Sequence, residues 1–204
     1  MKAKNIKLYR SDKEIIKFIN SKFKSLKFKK MNIALTGGNS WLVLYKKLLK
    51  KNIFKRSYNY FLTDERCNKV KYLQNYHKLR KNFDYKIKIN KFYNFSDISK
   101  NLENYQKLLP RRFDIIFTSL GIDGHVLSWF TNDLGWKSSK KVSVIIEKSL
   151  RVKQRLTLNK NFVNKSKTII LLVRKNKIKI FNHSKVRKTF PINHLKASHI
   201  KKKK

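Results

Sequence analysis

Apolar residues fall into two rhythms along the 204-residue chain. Short runs dense in Ile, Leu, Val, Phe and Tyr occupy 32–36, 58–63, 113–119, 142–146, 155–158 and 168–173, each the length of a buried strand. Between them, apolar positions recur every three or four residues, which predicts amphipathic helices over 12–27, 40–51, 74–83 and 101–109. In the first, Ile15, Ile16, Ile19, Phe23 and Leu26 share one face, and Ser11 with Glu14 makes a capping box at its start. In the second, Leu42, Tyr45, Leu48 and Leu49 share a face. Strands alternating with helices predict an α/β fold: a Rossmann-like domain with a mostly parallel sheet and helices on both faces. No internal repeat and no Pro-, Gly- or Ser-rich linker divides the chain, so residues 1–200 read as a single domain. After residue 173 the rhythm weakens: a short helix is expected over 175–182, Pro191 interrupts the segment beyond it, and 201–204 reads as a frayed, solvated basic tail.

Charge complicates this picture. The chain has 52 Lys and Arg against 11 Asp and Glu, a formal charge of +41, which ordinarily points to nucleic acid. Only ten of those cations are Arg, however, and the Lys residues are spread through almost every segment. A bias toward Lys and Asn codons explains that distribution better than a binding stripe does. Weak, salt-sensitive, sequence-independent polyanion binding is the expected consequence. Cys67 is the only cysteine, so an internal disulfide is impossible, which fits a reducing compartment. No run approaches the roughly 20 apolar residues of a membrane span, and the first thirty residues lack a signal-peptide core. A cytoplasmic monomer without a membrane partner is expected.

Three strand ends carry candidate chemistry. The run 113–119 breaks into Leu120-Gly121-Ile122-Asp123-Gly124-His125, which delivers an imidazole to the carboxyl end of a sheet. His125 can serve as general base if a carboxylate orients its ring, and either Asp123 or Asp64 could be that carboxylate. After 32–36, Gly37, Gly38, Asn39 and Ser40 form a turn into a helix. There, backbone N–H groups and the helix dipole favour an anion, or Ser40 simply caps the helix. The run 58–63 ends in Asp64-Glu65-Arg66, where the planar fork of Arg66 can grip a phosphate or carboxylate, or join a structural ion pair. No group of residues has metal-ligand spacing, and Cys67 has no local partner that would make it a nucleophile.

Taken together, these segments resemble the 6-phosphogluconolactonase family. Its Ser-Gly-Gly-Ser-Thr-Pro loop is similar to Thr36-Gly37-Gly38-Asn39-Ser40-Trp41, and its Asp-Glu-Arg stands intact at 64–66, followed by Gln74-Asn75-Tyr76 for Ser-Asn-Tyr. Its Gly-x-Asp-Gly-His-Thr-Ala-Ser-Leu-Phe motif is matched by Gly121 through Phe130, with Val126 in place of a Thr. Arg155-Leu156-Thr157-Leu158, Asn164, Leu171-Leu172-Val173 and Lys177 resemble later family positions, with Arg174-Lys175 in place of Thr-Gly. Members continue past the last helix into another strand, where this chain reads as a Lys tail. Glucosamine-6-phosphate deaminases share the Gly-Gly loop and the Asp-Gly-His. They carry an aromatic residue where Arg66 stands, and an Ile-Ala-Phe-Asn-Glu run where this chain ends its motif in Ser128-Trp129-Phe130.

The resemblance implies hydrolysis of 6-phosphoglucono-δ-lactone in the pentose phosphate pathway, with no metal and no cofactor. His125 would be the base, oriented by Asp123 or Asp64. Arg66, Arg155 and Lys177 would hold the anionic substrate or oxyanion, and Gly37, Gly38, Asn39 and Ser40 would lie at its phosphate. The alternatives are a deaminase-like sugar-phosphate isomerase, and a decayed lactonase scaffold that binds polyanions.

Overall fold

A chain with this many fully apolar strands must cover both faces of its sheet. The computed structural model, which describes residues 6–9, 11–26, 30–90, 98–184, 190–196 and 199–203, shows how it does so. Seven strands form one sheet in which every pairing is parallel: β1 (Ile6–Tyr9), β2 (Asn32–Leu35), β3 (Asn59–Leu62), β5 (Ile89–Asn90), β6 (Ile115–Ser119), β9 (Thr168–Val173) and β10 (His199–Lys203). Their spatial order is β1-β10-β9-β6-β2-β3-β5. All six residues of β9 are buried, which a sheet with an open face cannot achieve. Helices α1 (Asp12–Leu26), α2 (Asn39–Lys50), α3 (Asn75–Asn82), α4 (Ile98–Leu108), α5 (Lys160–Val163) and α6 (Ile178–Ser184) alternate with the strands, as the periodicity predicts. The 12–27 pattern buries Ile15, Ile16, Ile19 and Phe23. Trp41, at the start of α2, stacks on Tyr45 at 5.5 Å and meets Phe117 edge-on at 4.9 Å. This Trp is therefore part of the core, not of the loop that precedes it.

Two expectations change. The strands at 142–146 and 155–158 do not extend the large sheet. As β7 (Val142–Ile146) and β8 (Gln154–Leu158), they form a separate antiparallel sheet with β4 (Asp64–Arg66). The chain therefore leaves the large sheet at Thr63, and the Asp-Glu-Arg motif is itself a strand of the second sheet. The basic tail is also corrected, because residues 199–203 form β10, paired in parallel with β1 on one side and β9 on the other. Two flanking strands supply partners for its backbone N–H and C=O groups, and side-chain polarity does not oppose that pairing.

Candidate active site

Strands β2 and β6 are neighbours, but the chain winds away from them in opposite directions, toward β3 and β5 on one side and toward β9 and β10 on the other. At such a switch point the loops beyond the carboxyl ends diverge and leave a crevice. The Gly-Gly loop follows β2, and the Asp-Gly-His loop follows β6. Trp41 Nε1 donates to Thr118 O at 2.8 Å, tying the first turn of α2 to the end of β6. Gly37 is required by space, since a Cβ there would lie 2.5 Å from the Asn75 side chain. The cap position of α2 is Gly38, with no side-chain cap bond, so Ser40 lies inside the helix and is not its N-cap. The first-turn N–H groups carry the positive end of the helix dipole.

The His125 loop is held in an unusual conformation. Gly124 has φ 85°, and the non-glycine Leu127 has φ 55°. A Cβ on Gly121 would collide with the His125 ring and with Asp123. His125 Nδ1 is hydrogen-bonded to Asp123 Oδ1, and the ring rests on Phe130 with centroids 4.8 Å apart. With Nδ1–H donated to the carboxylate, Nε2 keeps the lone pair a general base needs. Burial opposes ionisation of Asp123, but the hydrogen bond and charge of His125 outweigh it and hold the carboxyl below its ordinary range. The Ser128-Trp129-Phe130 segment anchors the loop. Ser128 Oγ donates to Asp64 at 3.0 Å and Trp129 Nε1 to Leu158 O at 2.7 Å, while Phe130 supports the imidazole.

The structure thus separates two carboxylates that the sequence left as alternatives. Asp64, only 4% exposed, is no partner of His125. Its carboxylate accepts from Thr63 Oγ1 at 2.8 Å, Ser128 Oγ at 3.0 Å, Asn75 Nδ2 at 3.3 Å and Thr36 Oγ1 at 3.5 Å, joining the segments that surround the site. Glu65, 1% exposed, accepts the backbone N–H groups of Arg66 and Asn75 at 2.6 Å and of Tyr76 at 2.8 Å, which places an anion at the start of α3. Burial raises its pKa to about 7 despite those donors.

Gly37, Gly38, Asn39, Ser40, Arg66, His125 and Lys177 all line one cavity of about 390 Å³, whose lining includes no acidic side chain among the described residues. Asp123 lies behind His125, in a smaller cavity of about 150 Å³ that the imidazole also borders. Asp64 and Arg155 are not on the wall of the larger cavity. Arg155 stands across the β4–β8 ladder from Arg66, and its Nε donates to Val152 O at 2.9 Å. Arg66 Nη1 is held by Leu73 O at 3.0 Å, and Lys177 Nζ by Leu120 O at 2.5 Å.

Two cations on the wall, Lys78 and Arg174, were not among the candidate site residues, Arg174 having been noted only as a departure from the family's Thr-Gly. Lys78 is lost among the many lysines. Arg174 carried a signal, being one of few arginines in a Lys-rich chain, and its Nη2 donates to Asn39 O at 3.2 Å. Desolvation, then the charges of Arg66 and Arg155 working against Glu65, lowers the Lys78 pKa; desolvation and Arg174 lower that of Lys177. Burial pushes the Cys67 thiol up to about 12, so it is no nucleophile at neutral pH. Among the described residues, no three His, Cys, Asp or Glu side chains cluster as metal ligands would. Among the same residues, no helix is long and apolar enough to cross a membrane.

Fold and site together define a class: a doubly wound α/β protein with an Asp–His pair at its switch point and a cationic cavity before it. The model of the glucosamine-6-phosphate isomerase/6-phosphogluconolactonase family matches residues 11–202, and the chain belongs to that family. It is 35% identical over 118 residues to a 6-phosphogluconolactonase of Borreliella burgdorferi, a match covering 51% of this chain and 50% of that relative, about half the length of each. Its fold is similar to the 6-phosphogluconolactonase of Thermotoga maritima, with TM-score 0.84, 21% identity and 97% of each chain covered. It is equally similar to that of Shewanella baltica, at TM-score 0.84, 19% identity and 97% of each chain. For that of Trypanosoma brucei the TM-score is 0.79 at 20% identity, with 97% of this chain and 94% of the other covered. At these identities the structural likeness speaks to the fold.

Proposed function

We propose that this protein hydrolyses 6-phosphoglucono-δ-lactone to 6-phosphogluconate, acting as a monomer in the cytoplasm. The observation that carries the reading is the Asp123–His125 pair, whose imidazole borders a cavity that also presents Arg66, Lys177 and the Gly37–Ser40 turn. A water against Nε2 loses its proton to His125 as its oxygen attacks the lactone carbonyl. Asp123 holds the ring in that tautomer and stabilises the imidazolium that forms. Lys177, beside the Leu120 carbonyl, faces the oxyanion of the tetrahedral intermediate. When the intermediate collapses, the bond from the carbonyl carbon to the ring oxygen breaks and His125 returns its proton to that oxygen. Arg66 and the first turn of α2 hold the phosphate. Arg155 acts from behind, flanking Arg66 across the ladder.

The test is a lactonase assay on purified protein, corrected for spontaneous lactone opening. Turnover is expected, and His125→Ala should cut it on the order of a hundredfold or more while the far-UV spectrum stays that of the wild type. The imidazole is 30% exposed, so its removal opens no core cavity. Ammonia release from glucosamine 6-phosphate, with no lactone opening, would move the assignment to a deaminase.

A further inference from the structure

A second cationic surface lies toward the amino ends of β3 and β5, the opposite end of the sheet from the catalytic cavity. Two further cavities, of about 440 and about 390 Å³, meet there at Lys86, which borders both. The first gathers Lys46 and Lys50 from the carboxyl end of α2, and Lys55 and Arg56 from the segment that leads into β3. The second runs from Arg80 of α3 to Lys88, beside the last strand of the sheet, β5. Neither shares a residue with the catalytic cavity. Among the described residues, Asp84 is the only acid on either wall, and no carboxylate is ion-paired to any of these cations.

Lysine is spread over the whole chain, so charge alone does not set this groove apart. Two tyrosines do. The turn after α3 holds Asp84 at φ 49° and Tyr85 at φ 59°, a left-handed conformation that a bulky residue rarely adopts. Tyr85 N–H closes that turn on Arg80 O at 3.0 Å, yet the side chain stays 64% exposed, so burial does not repay the strain. What the turn achieves is a position for the ring. The Arg80 guanidinium lies 4.7 Å from the Tyr85 centroid and 5.6 Å from that of Tyr76, and both rings border the second cavity. An accessible aromatic ring beside a guanidinium, continuous with a row of cations that lack carboxylate partners, suits a single strand: the cations follow the phosphates and the ring stacks a base. A duplex keeps its bases stacked inside, and an acidic protein or a lipid surface has none to offer. We infer that the groove from Lys46 and Arg56 to Tyr85 and Lys88 binds single-stranded nucleic acid, with phosphates along the lysines and a base against Tyr85, apart from the catalytic cavity.

Fluorescence anisotropy can compare a labelled RNA strand of about 12 nucleotides with an abasic strand of the same length, which keeps the phosphates and lacks the bases. At about 0.15 M salt the wild type should bind the RNA about tenfold or more tightly than the abasic strand. Tyr85→Asn removes the ring and keeps a residue that tolerates the left-handed turn. It should weaken the RNA by about tenfold and the abasic strand by less than about threefold, whereas Tyr85→Phe should match the wild type. Lys55→Gln with Arg56→Gln should weaken both strands by about tenfold. The same loss of charge in the catalytic cavity, by Arg66→Gln with Lys177→Gln, or on α1, by Lys13→Gln with Lys17→Gln, should cost less than about threefold. Tyr85, Lys55 and Arg56 are exposed, so none of the groove variants empties the core. Equal affinity for the two strands, an unchanged Tyr85→Asn variant, or equal losses from the three charge pairs would overturn the inference and leave only diffuse attraction to polyanions. Tyr85-dependent binding to phosphatidylserine vesicles, with RNA held no better than the abasic strand, would overturn it in favour of a membrane surface.

Discussion

Asp64 and Asp123 have the same functional group and opposite surroundings. Asp64 is enclosed and accepts from two threonines, a serine and an asparagine, so it joins loops to one another. Asp123 is about half exposed and, among the described side chains, is bonded to the imidazole. Their substitutions should separate. Asp64→Ala leaves several buried donors without an acceptor and should destabilise the fold by about 3 kcal/mol, read as a lower urea midpoint. Asp123→Asn should leave the midpoint near that of the wild type while lactone turnover falls on the order of a hundredfold, since a neutral amide does not stabilise an imidazolium. A full-rate Asp123→Asn variant would return the orienting role to another group.

At the scale of elements, the Asp-Glu-Arg strand is a joint between β4 and α3, made by the Glu65 carboxylate on three backbone N–H groups. Burial raises its ionisation from the ordinary 4.5 to about 7, so between those values the folded chain holds a proton that the unfolded chain has released. The contribution of this group to stability is therefore greatest below about pH 4.5 and is lost as pH rises toward 7. Glu65→Gln removes the titration. Relative to that variant, the wild type should lose about 3 kcal/mol between roughly pH 4.5 and 7.5, measured by urea unfolding at several pH values. A difference that stays constant across that range would show that the three donors, not burial, set the ionisation.

On the scale of the whole molecule, the least expected element is β10. A frayed tail tolerates any residue, whereas a strand with neighbours on both sides does not tolerate proline, which removes a donor from the ladder. Lys201 pairs with Lys7 on one side and Leu172 on the other. Lys201→Pro should lower stability by about 3 kcal/mol, and Lys201→Thr should change it little. Equal melting temperatures for the two variants would restore the tail.

Much of this protein was legible along the chain because side-chain burial repeats locally. The runs at 32–36, 113–119 and 168–173 are strands, and the pattern over 12–27 is a helix, because an element that buries one face or two writes that choice into consecutive residues. The three loops were legible for a related reason, since each breaks an apolar run at glycines or charges. Partnership was not legible. Strands β7 and β8 read like the others, yet they pair only with each other and with β4, which reads as the charged end of the run at 58–63. The Lys-rich β10 reads as solvent-exposed, yet it lies between two strands. Pairing is made by backbone groups, which are alike at every residue, over separations that no local pattern spans. The same limit governed the site. The glycines, His125 and Arg66 could be named from motifs. Only the folded chain decided that Asp123 and not Asp64 faces the imidazole, that Arg155 stands behind Arg66, and that Lys78 and Arg174 reach the cavity, because each depends on which strand lies beside which.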